Sequence, residues 1–203
     1  IVFVALLGEG MIFLLGSIES RGQSMPVIAN APPSLPFYFA HFCAAHADTT
    51  FLVDGDERLS FADVYAHAGQ VARALVDGFG VQKGDRIGIA MRNAPSWVVT
   101  YMGAIMAGGV ATLLNGWWQG GELVDGIRDA GCTIVLADKQ RAERIGQSDE
   151  PHGAKIIALD VAAPIAAAMR PITDAGGDSE TALPMMLGDD LATILFTSGS
   201  TGK

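Results

Sequence analysis

The sequence predicts an α/β fold, with a layered parallel sheet carrying helices on both faces. Two observations predict it. From Arg86 onward, short apolar runs alternate with helix-length segments, the order expected of strand–helix–strand units. The runs are continuously apolar rather than alternating, as strands buried on both faces require. The last run, Leu191–Phe196, opens into a tail of hydroxyl and glycine residues at Thr197–Lys203.

Taken in order, Ile1–Leu15 is strongly apolar, but Gly8-Glu9-Gly10 divides it. Neither half approaches the ~20 residues that a membrane-spanning helix needs. No basic leader or small-residue cleavage pattern marks a secretory signal. Two short strands around a glycine turn are expected there, and a weak membrane-surface contact stays open. Asn30–Pro36 is a proline-rich entry to a helix over 36–47, with Ser34 as its N-cap. Phe51–Val53, an Asp54-Gly55-Asp56 turn and Arg58-Leu59 form a β-hairpin. Ser60 then caps a helix whose stripe is Phe61, Val64, Tyr65, Ala68, Val71, Ala72 and Leu75, closed by Gly78 and Gly80.

The alternation that follows sets strands at Arg86–Met91, Val110–Leu114, Thr133–Ala137, Lys155–Leu159 and Leu191–Phe196. Helices are expected at Ala94–Ala107, Gly121–Ala130, Lys139–Ile145 and Val161–Met169, and an exposed loop at Pro171–Pro184.

Composition narrows the function classes. Half of the 203 residues are hydrophobic and 17% are charged, a globular balance. The net charge of −9 disfavours nucleic acid, whose binding needs a basic face to displace counterions. It leaves room for a nucleotide, because one cluster of backbone N–H groups holds a phosphate on an acidic protein. Cys43 and Cys132 are far apart in sequence, in no CxxC pattern. They read as buried thiols of a reducing compartment, the cytoplasm. Ile1 at one end and a glycine loop at the other lead us to expect a piece of a longer protein.

The tail carries the chemistry. Gly199 and Gly202 permit backbone angles that aim successive N–H groups inward. Thr197, Ser198, Ser200 and Thr201 add hydroxyl donors, one of which can ligate Mg²⁺. The loop follows a buried strand, and open parallel sheets gather ligands at the carboxyl ends of strands. A Walker A loop would need glycine where Thr197 stands, which weakens a P-loop phosphotransferase reading. A plain Ser/Gly turn and a non-catalytic module with this fold both stay open.

Thr197–Lys203 resembles the signature loop of the adenylate-forming (AMP-binding) family, which includes acyl-CoA synthetases, luciferases and peptide-synthetase adenylation domains. Upstream, 54–63, Gly80–Ile87, Arg92–Trp97 and Ala107–Val110 resemble family segments in the same order. Leu114–Trp118 departs from the commoner Asn-Pro-Arg and looks closer to acyl-CoA synthetases. The resemblance implies an incomplete N-terminal part of the family's large domain. Residues 1–35 would be strands and linker, and 36–203 a partial AMP-binding domain cut in its phosphate loop. It implies an ATP-dependent ligase joining a carboxylic acid, with a fatty acid favoured, to coenzyme A through an acyl-adenylate. Thr197, Ser198, Gly199, Ser200, Thr201, Gly202 and Lys203 would hold the outer phosphates, with Thr197 near Mg²⁺. No catalytic residue is assigned, because the family's later motifs lie past Lys203. The chain alone is therefore expected to make no acyl-adenylate.

The remaining polar and aromatic clusters read more plainly. His41, Cys43 and His46 diverge on a helix and make a poor metal set. Asp54 and Asp56 lack the closing glutamate of a calcium loop, since Tyr65 stands there. Trp117 and Trp118 either line a channel or pack at a strand end, with packing favoured. Met91, Met102 and Met106 read as core filler.

Overall fold

The computed structural model describes residues 14–20, 22–176 and 180–196. The first described elements are β1 (Leu15–Ser20) and β2 (Gln23–Ile28), an antiparallel hairpin in which Leu15 faces Ile28 and Ile18 faces Met25. Gly22 supplies the left-handed φ of 76° at its turn. This hairpin lies downstream of the strands expected within Ile1–Leu15, most of which fall outside the described residues. Its alternation is masked in sequence by Ser, Glu and Pro26 between the apolar positions.

Helix α1 (Leu35–Ala45) follows Ser34 and carries Pro36 in its first turn, where the missing N–H costs nothing. Strands β3 (Thr50–Asp54) and β4 (Glu57–Ser60) form the expected hairpin, with Gly55 at φ 55° in its turn. Helix α2 (Phe61–Asp77) begins in a capping box. The Asp63 N–H donates to Ser60 Oγ at 3.1 Å, and the Ser60 N–H and hydroxyl donate to the Asp63 carboxylate at 2.9 and 2.7 Å.

Those bonds, the side-chain one first, hold the Asp63 carboxyl below its usual range. A depressed folded pKa means the contribution is present above the unfolded value and fades as pH falls through the folded one. Ser60→Ala is expected to lower stability by about 0.5–2 kcal/mol at neutral pH. In urea melts run from pH 7 to pH 2.5 the deficit should narrow in acid. A deficit independent of pH would exclude the carboxylate from the cap.

The main sheet has five parallel strands in the order β8-β7-β5-β6-β9: β5 (Arg86–Ala90), β6 (Val110–Leu113), β7 (Cys132–Asp138), β8 (Lys155–Leu159) and β9 (Thr193–Leu195). The connecting helices are α3 (Pro95–Met106), α4 (Gly120–Ala130), α5 (Lys139–Gly146) and α6 (Ile165–Thr173).

Strand pleating divides the side chains between two apolar layers. Ile87, Ile89, Ile134, Leu136, Ile157 and Leu159 join α1, α2, α3 and α6 in the larger layer. Ala90, Val135 and Ala137 meet Leu123, Val124 and Ile127 of α4 and Ile145 of α5 in the smaller one. The expected layering, with helices on both faces, is what the structure shows. Met91, Met102 and Met106 are buried in the larger layer, as core filler should be.

One helix differs. The pattern after β8 predicts a helix from Val161 to Met169, but α6 spans Ile165–Thr173. The Ala163 N–H donates to the Asp160 carbonyl at 3.1 Å and that of Ala162 to the Asp160 carboxylate at 3.3 Å, which makes a turn. Pro164 then starts the helix at φ −51° and ψ 147°. Pro171–Thr173, expected in an exposed loop, form the last turn of α6, with Ile172 fully buried. Beyond it, the chain closes on the end of α2. A Cβ on Gly176 would stand 2.4 Å from Ala74 Cα, and one on Gly78 2.3 Å from the Ala175 carbonyl oxygen. Only glycines allow that approach.

Candidate functional site

All five parallel strands end on one edge of the sheet, where the segments after β5, β6, β7 and β8 and the exit of β9 collect. Connections leave this edge toward both faces. After β5 the chain enters α3, packed in the larger layer; after β6 and β7 it enters α4 and α5, packed in the smaller one. A strand edge with such divergent connections opens a crevice, the usual ligand position in open α/β sheets.

Strand β9 runs to that edge and is anchored on several sides. It pairs with β6 through Ala111↔Thr193 to Leu113↔Leu195. Thr193 Oγ1 lies 3.1 Å from the Tyr101 hydroxyl, and Tyr101 is stacked on Trp97 with ring centroids 5.4 Å apart. Upstream, Lys83 Nζ meets the Asp190 carboxylate at 2.7 Å, while that carboxylate accepts from the Leu187 N–H at 2.7 Å. The Leu187 bond first, and then Lys83, holds the Asp190 carboxyl below its ordinary range. Phe196, the last described residue, sets its ring edge to face against Trp118, centroids 5.0 Å apart. Thr197, Ser198, Gly199, Ser200, Thr201, Gly202 and Lys203 lie outside the described residues.

A buried ionic network, not anticipated from sequence, ties three strand ends together. Asp138 at the end of β7 is 3% exposed and Arg141 8%. The Asp138 carboxylate accepts from the Arg141 N–H at 2.9 Å, from the Arg92 N–H at 2.9 Å and from Arg141 Nη1 at 3.0 Å. Arg141 Nε in turn donates to the Gly116 carbonyl at 2.9 Å. One carboxylate thus caps α5, holds the exit of β5 and neutralises the guanidinium that grips the loop after β6. Beside it a small cleft of about 140 Å³ is lined by Arg92, Asp138, Lys139, Arg141 and Asp160.

The two tryptophans separate. Trp118 is half-buried among residues of the smaller layer, whereas Trp117 is 84% exposed. Packing therefore accounts for Trp118 alone. The histidines in and just after α1 meet aromatic rings: His41 lies edge-on to Phe42, and His46, the residue after the helix, is tilted against Phe61. Among the described residues no group of three His, Cys, Asp or Glu is placed to hold a metal ion. Both thiols are buried, and burial pushes Cys43 up to about 11 and raises Cys132 as well. No helix among the described residues is long and apolar enough to cross a membrane.

The architecture is thus an open parallel α/β sheet whose strand carboxyl ends gather on one edge. A family model described as "AMP-binding enzyme" matches residues 39–203, more than half of the chain and through the glycine tail. The chain belongs to this family of adenylate-forming enzymes. Among curated relatives, a medium/long-chain-fatty-acid–CoA ligase of Mycobacterium tuberculosis is 28% identical over 184 residues, covering 90% of this chain and 30% of its own length. A 4-coumarate–CoA ligase-like protein of Oryza sativa subsp. japonica is 29% identical over 194 residues, covering 88% and 33%. The structure of ATP-bound MatB from Rhodopseudomonas palustris superposes with a TM-score of 0.60 at 34% identity, covering 72% of this chain and 28% of that one. The chain spans about a third of the length of the curated relatives.

Proposed function

We propose that this chain is the N-terminal, phosphate-gripping part of an AMP-forming carboxylic acid:CoA ligase. The observation that carries the reading is that the family match runs through Thr197–Lys203, the residues that follow β9 and Phe196 in sequence. In this reading residues 1–35 are strands and linker, and 36–203 belong to the nucleotide-binding domain.

The chemistry follows from the weakness of a carboxylate as an electrophile. Its oxygen attacks the α-phosphorus of ATP, the bond to the β-phosphate oxygen breaks, and pyrophosphate leaves. The thiol of coenzyme A then adds to the acyl carbon, and AMP departs with the electron pair of the broken C–O bond. Backbone N–H groups and hydroxyls of Thr197–Lys203 hold the β- and γ-phosphates, whose charge grows as pyrophosphate separates. The donor set there, hydroxyls without a carboxylate, fits a Mg²⁺ ion that draws most of its ligands from phosphate and water. Thr197 would supply the protein ligand, and the ion would neutralise phosphate charge. Lys203 stands in the holding loop and is given no proton-transfer role.

A fatty acid is the favoured substrate, supported by the relative that covers 90% of the chain. The coumarate-ligase relative favours an aromatic acid instead, so both belong in the test. The pair of buried thiols supports a reducing compartment such as the cytoplasm.

In a full-length ligase containing this chain, ATP–pyrophosphate exchange is expected with fatty acids. Ser198→Ala should lower kcat/KM for ATP by roughly 10²–10³-fold, as for other donors to a developing anion. Exchange untouched by that change would remove the loop from catalysis, and silence across fatty, aryl and short-chain acids would favour a non-catalytic module. The 203-residue chain by itself is expected to release no pyrophosphate.

A further inference from the structure

We infer that Trp118 is a positioning residue for the phosphate loop, braced by Arg141 and Arg144 of α5 and acting on the loop through Phe196. The inference rests on the assignment of Thr197–Lys203 as the phosphate loop. Its structural part, that Trp118 braces the exit of β9, stands on the following contacts.

The segment between β6 and α4 is held from below at two carbonyls. Arg141 Nε donates to the Gly116 carbonyl at 2.9 Å, and Arg144 Nη1 donates to the same oxygen at 3.3 Å and to the Trp118 carbonyl at 3.2 Å. Within the segment, the Trp118 N–H donates to the Asn115 carbonyl at 3.1 Å, and the Trp117 N–H to Asn115 Oδ1 at 3.0 Å. The backbone that carries Trp118 is therefore fixed, although it lies in a loop.

The indole is fixed as well. A Cβ on Gly126 of α4 would stand 2.6 Å from the Trp118 ring, so this helix leaves a slot that the ring occupies. From the slot it presents itself to Phe196 at a centroid distance of 5.0 Å and an interplanar angle of 70°. Edge-to-face pairs of this kind are directional, so they restrain the angle at which a chain leaves as well as its position. Phe196 is the residue immediately before Thr197, and β9 is only three residues long. So short a strand gives the residue that follows it little restraint of its own. Trp117 beside it is exposed, and so has no part in this brace.

A brace on the loop's departure point governs where the outer phosphates sit more than how the acid is held. Misplacement of about 1 Å at a reacting group costs up to ~10²-fold in rate. In the full-length ligase, Trp118→Ala is expected to raise the KM for ATP about tenfold while leaving the KM for the acid within about twofold. Trp118→Phe, which keeps an aromatic face, should restore most of it. Arg144→Gln should shift the ATP KM in the same direction by a few fold, and keeps the test decisive if the alanine variant folds poorly.

The second readout is amide hydrogen exchange on the 203-residue chain. Peptides covering 191–203 should exchange faster in Trp118→Ala than in the parent or in Trp118→Phe. Unchanged exchange together with an unchanged ATP KM would overturn the inference, even where Ser198→Ala still impairs the enzyme. An equal rise in both KM values with a lowered Tm would overturn it too, since that is the mark of general destabilisation. If the unsubstituted ligase activates no acid, the proposed function falls, and the exchange comparison alone decides whether Trp118 braces β9.

Discussion

Replacing Asp138 by alanine is expected to destabilise the chain by about 3–5 kcal/mol, as removal of one partner of a buried pair does. The wild-type carboxylate is almost fully buried and accepts three hydrogen bonds, two of them from Arg141. Alanine leaves the Arg141 guanidinium in a poorly solvated site without a counter-charge, and leaves the Arg92 N–H and the first turn of α5 without an acceptor. Asp138→Asn separates these contributions. An amide oxygen still caps the helix, so the loss should be smaller and should report mainly the ion pair. Urea melts monitored by tryptophan fluorescence and by circular dichroism check both. A loss below ~1 kcal/mol for the alanine variant would mean that water reaches the pair and that the network is not a structural joint.

Leu136→Ala is expected to cost about 2–5 kcal/mol, the range for a leucine removed from a core that cannot collapse around the gap. Leu136 is wholly buried on β7, an interior strand paired with β5 and β8, and its side chain faces the layer formed by α1, α2, α3 and α6. The backbone on either side is locked in two ladders, so relaxation into the cavity is small. Leu136→Met, nearly equal in volume, should cost under ~1.5 kcal/mol. The measurement is again the denaturant midpoint at a fixed m-value. If the alanine and methionine variants prove equally stable, the packing assigned to this layer is incorrect.

Much of this architecture is legible in the sequence, for physical reasons that differ between elements. Strands β5 to β8 are visible because each is a short, mostly apolar run set between helix-length segments, the pattern of a covered parallel sheet. Helix α2 is visible because Ser60 and Asp63 mark its start and one apolar stripe marks its buried side. The start of α6 is not, because Val161-Ala162-Ala163 has good helical propensity and only the Asp160 turn diverts it. Hairpin β1–β2 is obscured by polar residues and a proline, which weaken its alternation.

The site divides in the same way. A strand opening into a hydroxyl–glycine loop is a local pattern, so Thr197–Lys203 can be singled out in one dimension. Asp138 also carries a readable signal, as an N-cap residue at a strand–helix junction. Its role as a joint between three strand ends does not show, because Arg141 looks like any surface arginine on a short helix. Gly116, the group that Arg141 grips, is 25 residues away in sequence. Likewise nothing near Trp118 announces Phe196 as its neighbour, since the sheet brings the two together only by placing β9 beside β6.

The division of the core into two sheets of side chains separated by a strand backbone has a consequence for how the chain tolerates change. A residue such as Val124 on α4 and one such as Val71 on α2 sit on opposite sides of that partition and belong to separate packed clusters. Substitutions in one compartment therefore add to those in the other instead of compounding or rescuing them. Either compartment can be repacked by selection or by design without re-optimising its counterpart, provided Gly78, Gly126 and Gly176 stay in place.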